Sequence, residues 1–381
     1  MTDTLPSADV QVPVSSRSER TRSFATADFP EVNGREEEWR FTPVRQLAEL
    51  FEDRRADGTL ALEQRLPEAV TFETIDLAAA QQLGIPEPED RLAAIAAANA
   101  PGVLHYSVPA ETEIDDAIVI HADGTDSMVH SHILVTVGAN ARATIVVEHE
   151  GLGRLSELVS VIVGDGAQLT FVTLQMWEDG SQHVGQHDAV VGRDAQYKHI
   201  AISLGGDIVR LNSNVRYAGP GGEAIMLGLY FADAGQHLEH RTYVDHNTPH
   251  AISDVMYKGA LQGTDARSVW IGDVLIRPEA IGINTYELNR NLVLTEGARA
   301  DSVPNLEIET GDIEGAGHAS STGRFDEEHL FYLMSRGIPE VEARRLVVRG
   351  FFNEVIQQIR VPEIEEVLNT KIEEELSRSM M

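Results

Sequence analysis

Histidine is the side chain in this sequence best placed to do chemistry. His237, His240, His246 and His250 fall close together, with Glu239 and Asp245 among them. Neutral imidazoles and carboxylates in one place make the donor set of a transition-metal site. On an extended chain, though, His237 and His240 point to opposite faces, because strand side chains alternate with a period of two. Ordinary polar residues on a strand are therefore the competing reading. His183 and His187 form a second, smaller pair. An H-E-x-x-H pattern is absent, which excludes a zincin-type helix. Cysteine is absent too, removing disulfides, thiolate nucleophiles and cysteine-ligated metals.

The remaining motifs are weaker. Gly219-Pro-Gly-Gly222 lacks the Lys-Ser/Thr of a phosphate-binding loop and reads as a turn. The segment from Gly317 to Gly323 sets His318 beside hydroxyls but is no nucleophile elbow. Leu306-Glu-Ile-Glu309, followed by Asp312 and Glu314, reads as an exposed strand face or as a hard-cation site. With neither an acid–base pair nor an activated nucleophile in view, the residues favour a binding or scaffolding protein. The enzymatic alternatives are a β-helical enzyme acting on polysaccharide and a hydrolase using a metal at His237–His250.

Acidic residues number 61 against 30 basic, a formal charge of −31. Such a field repels phosphate backbones and anionic sugars, so nucleic acid is not an expected partner. The sequence has no apolar run of about 18 residues, and a membrane span is not expected. Asp3, Asp9 and Glu19 interrupt the N-terminus, which reads as neither signal nor transit peptide. A cytoplasmic location is the expectation.

The elements that must position these residues follow from periodicity. Residues 1–33, rich in Ser, Thr, Asp and Pro, read as a disordered or loosely attached tail. Residues 34–110 read as a helical segment. Thr42-Pro43 opens one helix carrying Val44, Leu47, Leu50 and Phe51 on one face, and Arg91–Ala98 forms another. From 111 to 322 the chain turns to Val/Ile/Thr-rich strands divided by Gly turns. Val137-Gly-Ala-Asn-Ala141, Val163-Gly-Asp-Gly-Ala167 and Val191-Gly-Arg-Asp-Ala195 share one pattern, continued by Ala224 and Ala251. A period in the twenties built of short strands is the signature of a β-solenoid, with an evenly spaced antiparallel sandwich as the alternative. Residues 323–381 read as a helical domain. Asp326-Glu-Glu328 starts its first helix, Gly337 ends it, and Val348, Phe351, Phe352, Val355, Ile356 and Ile359 stripe the next. That apolar surplus is expected to cap the open end of the solenoid and to receive a partner.

Three stretches carry a resemblance: HLEHRTYVDHNTPHAISDVMYKGAL from His237, NTYELNRNLVLTEGARADSVPNLEIE from Asn284, and GHASSTGRFDEEHLFYLMSRGIP from Gly317. With GREEEWRFTP at 34–43, they closely resemble the SufB/SufD family of iron–sulfur cluster assembly scaffolds, SufD more than SufB. The resemblance implies a right-handed parallel β-helix with helical ends, mainly β. It also implies a subunit without turnover that forms a heterodimer with SufB, binds the ATPase SufC and supports iron entry. Whether the isolated chain pairs with itself as a homodimer stays open, exposed solenoid strands being suited to pairing. His318 matches the histidine that the family places at the SufB–SufD joint, a tentative iron ligand. Phe331, Tyr332, Arg336, Phe351 and Phe352 match the ATPase-binding surface. Two departures stand out: Ala316 replaces a cysteine common in SufD, and Asn289 occupies the position of a cluster-associated cysteine of SufB. The expectation is no tightly bound cofactor, only transient iron or an iron–sulfur cluster shared with a partner that provides the sulfur.

Overall fold

The computed structural model describes residues 17–324 and 327–378. Short elements come first: β1 (Ala61–Arg65), β2 (Thr71–Ile75), α1 (Leu77–Gln82), α2 (Arg91–Asn99) and β3 (Val103–Val108). Two long strands follow, β4 (Ile118–Val137) and β5 (Arg142–Val163), each bending midway. Then come β6 (Gln168–Gln175), β7 (Gln182–Val191), β8 (Gln196–Ser203), β9 (Ile208–Tyr217), β10 (Glu223–Ala232) and β11 (His237–His246). The solenoid continues with β12 (Ile252–Leu261), β13 (Arg267–Ile276), β14 (Asn284–Val293), β15 (Arg299–Ile308) and β16 (Gly315–Arg324). Helices α3 (Glu327–Ser335), α4 (Glu340–Ile356) and α5 (Pro362–Arg378) end the chain.

Sheet order runs β15-β13-β11-β9-β7-β5-β6-β8-β10-β12-β14-β16, and the pairs along it are parallel. Alternate strands therefore stack into two sheets, joined through β5, and each coil contributes one strand to each. This is a parallel β-solenoid, as the repeat implies. Inward residues of both sheets fill one lumen, among them Ile145, Phe171, Met226, Val255 and Trp270. Ala141, Ala167, Ala195, Ala224 and Ala251 are all buried where the turns enter the strands. Gly164 shows why the turn needs its glycine: a Cβ there would lie 2.8 Å from the amide nitrogen of Ala139 in the preceding coil.

The C-terminal helices depart from expectation. They lie across the outer face of the β6–β8–β10–β12 sheet and do not cap the solenoid end. Val348, Phe352, Val355, Ile356 and Ile359 of α4 and its exit, with Ile364, Leu368 and Ile372 of α5, bury against Val146, Val172, Ile200, Leu229 and Phe231. The reason is in the sheet: its outward positions are themselves apolar and need covering. Phe352 is 0% exposed, its ring 6.3 Å from that of Phe231. We expect Phe352→Ala to cost about 3–5 kcal/mol, read from urea unfolding; a loss under about 1 kcal/mol would mean that α4 is only loosely seated.

The N-terminal region departs further. Of the expected tail at 1–33, residues 1–16 lie outside the described residues, but 17–33 pack on the solenoid. Buried Arg17 donates to Asn214 at 2.7 Å and Asp273 at 3.0 Å, and Phe29 is buried. Polar anchors, not apolar periodicity, hold this segment. Residues 34–110 are mixed rather than helical. Val44–Phe51 is a 3-10 helix, and Thr42 does not cap it: its hydroxyl donates to Glu239 at 2.8 Å. Strand β3 pairs parallel with β4, so the solenoid begins at Val103 rather than 111. Of the expected acidic start to α3, Asp326 lies outside the described residues.

Candidate functional site

Strand register decides which polar residues face the lumen. On β11 the even positions Leu238, His240, Val244 and His246 point in, while Glu239 and Arg241 point out towards the N-terminal segment. The expected cluster thus does not converge. His237 lies outside, 3.1 Å from Glu239. His240 stacks on Tyr230 and His246 on Tyr217 in the lumen. His250 sits in a turn at φ 58°.

The lumen nevertheless carries a column of polar side chains. At its inner end stand His149, Glu157, His183, His187 and His199, all buried. His240 follows, between Tyr230 and Tyr257. Next, Asn289 donates to the Tyr230 hydroxyl at 2.9 Å, and that hydroxyl donates to Asn291 at 2.7 Å. Asn291 in turn donates to Asn289 at 2.7 Å and reaches Thr322 of β16 at 3.4 Å. So Asn289 is a buried hydrogen-bonding residue.

At the open end, register sets His318 of β16 beside Glu287 of β14. Glu287 is buried, and both its oxygens lack a hydrogen-bond partner among the described residues. Burial, with the charge of Asp273, pushes its carboxyl up to about 8, so it is neutral at physiological pH. His318 is exposed and borders a cleft of about 840 Å³ that also touches Arg17, Tyr243, Asp273 and Glu307. Among the described strands, β15 and β16 each pair with one neighbour only and leave a free edge. An uncharged acid beside an exposed imidazole can exchange its proton for a cation and so become an oxygen ligand.

The buried histidines also predict acid sensitivity. Burial pulls His240 and His246 down to about 3, the first helped by charge on His187. The unfolded chain binds these protons near pH 6.5 and the folded chain does not. Their contribution is therefore present above about pH 6.5 and is lost as pH falls towards 3, by about 1.4 kcal/mol per unit for each ring. Melting at pH 7.5 and 5.5 should show a clear drop, and the double variant His240→Phe/His246→Phe should make it shallower, the remainder coming from other buried imidazoles such as His132 and His199.

On the outer surface, α3 exposes Phe331 (74%) and Tyr332 (54%), with Met334 beside them. Arg336 lies over the Tyr332 ring at 4.7 Å. Phe351 is half-buried against Phe352. Of the residues matched to an ATPase surface, Phe352 is therefore a core residue and the others reach solvent.

The structure is thus a parallel solenoid with a polar column in its lumen, a last coil with free edges and a helical platform across one sheet. Comparison with known proteins gives its family. A family model described as the SUF system FeS cluster assembly SufBD core domain matches residues 119–351. An iron–sulfur cluster assembly SufBD family protein of Mycobacterium tuberculosis is 46% identical over 94% of this chain and 93% of its own length. The iron–sulfur cluster assembly protein SufD of Bacillus subtilis is 28% identical over 76% and 68%, and that of Escherichia coli is 26% identical over 53% and 47%. This chain belongs to the SufBD family of iron–sulfur cluster assembly proteins, and within it is SufD-like. Among the described residues no helix is long and apolar enough to cross a membrane.

Proposed function

We propose that the chain is a non-catalytic scaffold subunit that pairs with a SufB-like protein through its open coil and carries a SufC-like ATPase on its C-terminal helices. The observation that carries this reading is the last coil: free edges on β15 and β16 with His318 exposed between them. Free strand edges recruit further strands. A partner strand laid there would enclose His318 and Glu287, giving iron an imidazole and an oxygen donor. With no cysteine of its own, the chain leaves sulfur to the partner, and iron or a nascent cluster is shared cargo. Phe331, Tyr332 and Arg336, with the exposed edge of Phe351, supply the aromatic and guanidinium anchors that partner surfaces use. Without SufB the same edges would pair two copies of this chain. The setting is the cytoplasm.

Co-purification with the SufB-like and SufC-like neighbours tests the proposal. A stable complex with stimulated ATP hydrolysis is expected. Failure to associate with either neighbour would overturn it.

A further inference from the structure

The inner end of the lumen holds a second constellation, remote in the chain from His318. Glu157 of β5 takes an inward position between the core residues Leu155 and Val159. Its carboxylate meets His149 Nε2 at 3.3 Å, His183 Nε2 at 3.5 Å and His187 Nε2 at 3.9 Å. All four side chains are buried, the last at 1% exposure or less. Glu157 Oε2, His183 Nε2 and His187 Nε2 have no partner in hydrogen-bonding geometry among the described residues. Gly185 makes room for them: a Cβ there would lie 3.2 Å from His183 Nε2 and 3.4 Å from His187 Nε2.

We infer that Glu157, His149 and His183, whose ligand atoms all lie within 4.8 Å of one another, form a buried site for one divalent first-row transition-metal ion. Ligand atoms about 2.0–2.2 Å from a tetrahedral ion lie about 3.3–3.6 Å from one another, and the contacts of His149 with Oε1 and of His183 with Oε2 fall in that range. Two imidazoles and a carboxylate are also the ligand set that holds ferrous iron in facial triads. Behind these ligands His187 Nδ1 lies 3.4 Å from His199 Nε2, so the second tier of the site is imidazole as well. An anionic carboxylate enclosed by imidazoles and apolar walls needs a positive partner, and a metal ion supplies one.

One contact opposes loading. Trp177 Nε1 donates to His183 Nδ1 at 3.2 Å, which places the His183 proton on Nε2. For Nε2 to bind the ion that proton moves to Nδ1, and the ring exchanges its indole bond for the ion. The same contact makes loading visible, since Trp177 also lies 5.5 Å from the His149 ring.

The test uses the full chain made in minimal medium containing cobalt, so that the ion is present as the chain folds. Desalted protein should retain about one equivalent of Co²⁺ by elemental analysis, with visible d–d bands and quenched tryptophan emission. Glu157→Gln should lose the ion while keeping its circular dichroism, and His318→Ala should keep it. Trp177→Phe, which frees the His183 tautomer, should hold Co²⁺ at least as tightly. Less than about a tenth of an equivalent in both wild type and Trp177→Phe would overturn the inference. So would full loading of Glu157→Gln.

Discussion

Replacing His318 with alanine is expected to leave a folded chain that no longer supports cluster assembly. The side chain is exposed on the last strand, so its loss should change stability by no more than about 0.5 kcal/mol. If it is an iron donor at a shared joint, activity of an iron–sulfur enzyme in cells carrying only the variant should fall by a factor on the order of 10–100. His318→Ala chain should still co-purify with its neighbours, separating a lost donor from a lost interface. Normal growth under iron limitation would remove His318 from the mechanism.

Glu239→Ala should act oppositely, destabilising the chain by about 3–5 kcal/mol. Glu239 is fully buried between β11 and the N-terminal segment. It accepts from Arg241 at 2.7 Å and Thr42 at 2.8 Å, with Arg210 at 3.5 Å. Arg210, also buried, stacks on Trp39 at 3.8 Å and donates to Asp90, the residue that caps α2. Removing the carboxylate leaves guanidinium groups in a dry interface without their counter-charge, which is the costly way to break a buried network. Burial would push Glu239 up, yet Arg241, His237 and Arg210 together hold it far below the ordinary carboxylate value. Its contribution is thus present above about pH 4.3 and lost only as pH falls well below that. The variant should lose that acid-side slope as well as its N-terminal docking, measured by urea unfolding and by proteolysis near Arg17. A cost under about 1 kcal/mol would mean that water screens the network.

The solenoid was legible because its repeat is written in small residues. The alanines from 141 to 251 mark where successive coils tuck inward, and each is buried. Alternation also placed His237 and His240 on opposite faces correctly. Two things were not legible. The N-terminal anchoring relies on single polar residues, such as Arg17 and Thr42, whose partners are some 200 positions away. Local pattern carries no trace of such pairing. The Glu157 cluster left a faint signal: a carboxylate in the inward parity of an otherwise Leu/Val strand. Reading it required knowing that β5 and β7 stack in register. The likeness to SufB/SufD proteins, by contrast, pointed to the open end and to α3, which the fold does leave exposed.

The packing of α4 and α5 has a mechanical consequence. A coil stack touches only its nearest neighbours, and left alone would unzip one rung at a time from either end. Here a pair of helices runs as a splint across many rungs, from Val146 through Phe231 to Ala260. Peeling any spanned rung must also lift the splint, so those coils should come apart together. The last rung, β15 and β16, lies past the buried part of that splint and stays free to fray and re-form. Force applied to the helices would therefore be shared along the spanned stack, while its last rung bears none of it.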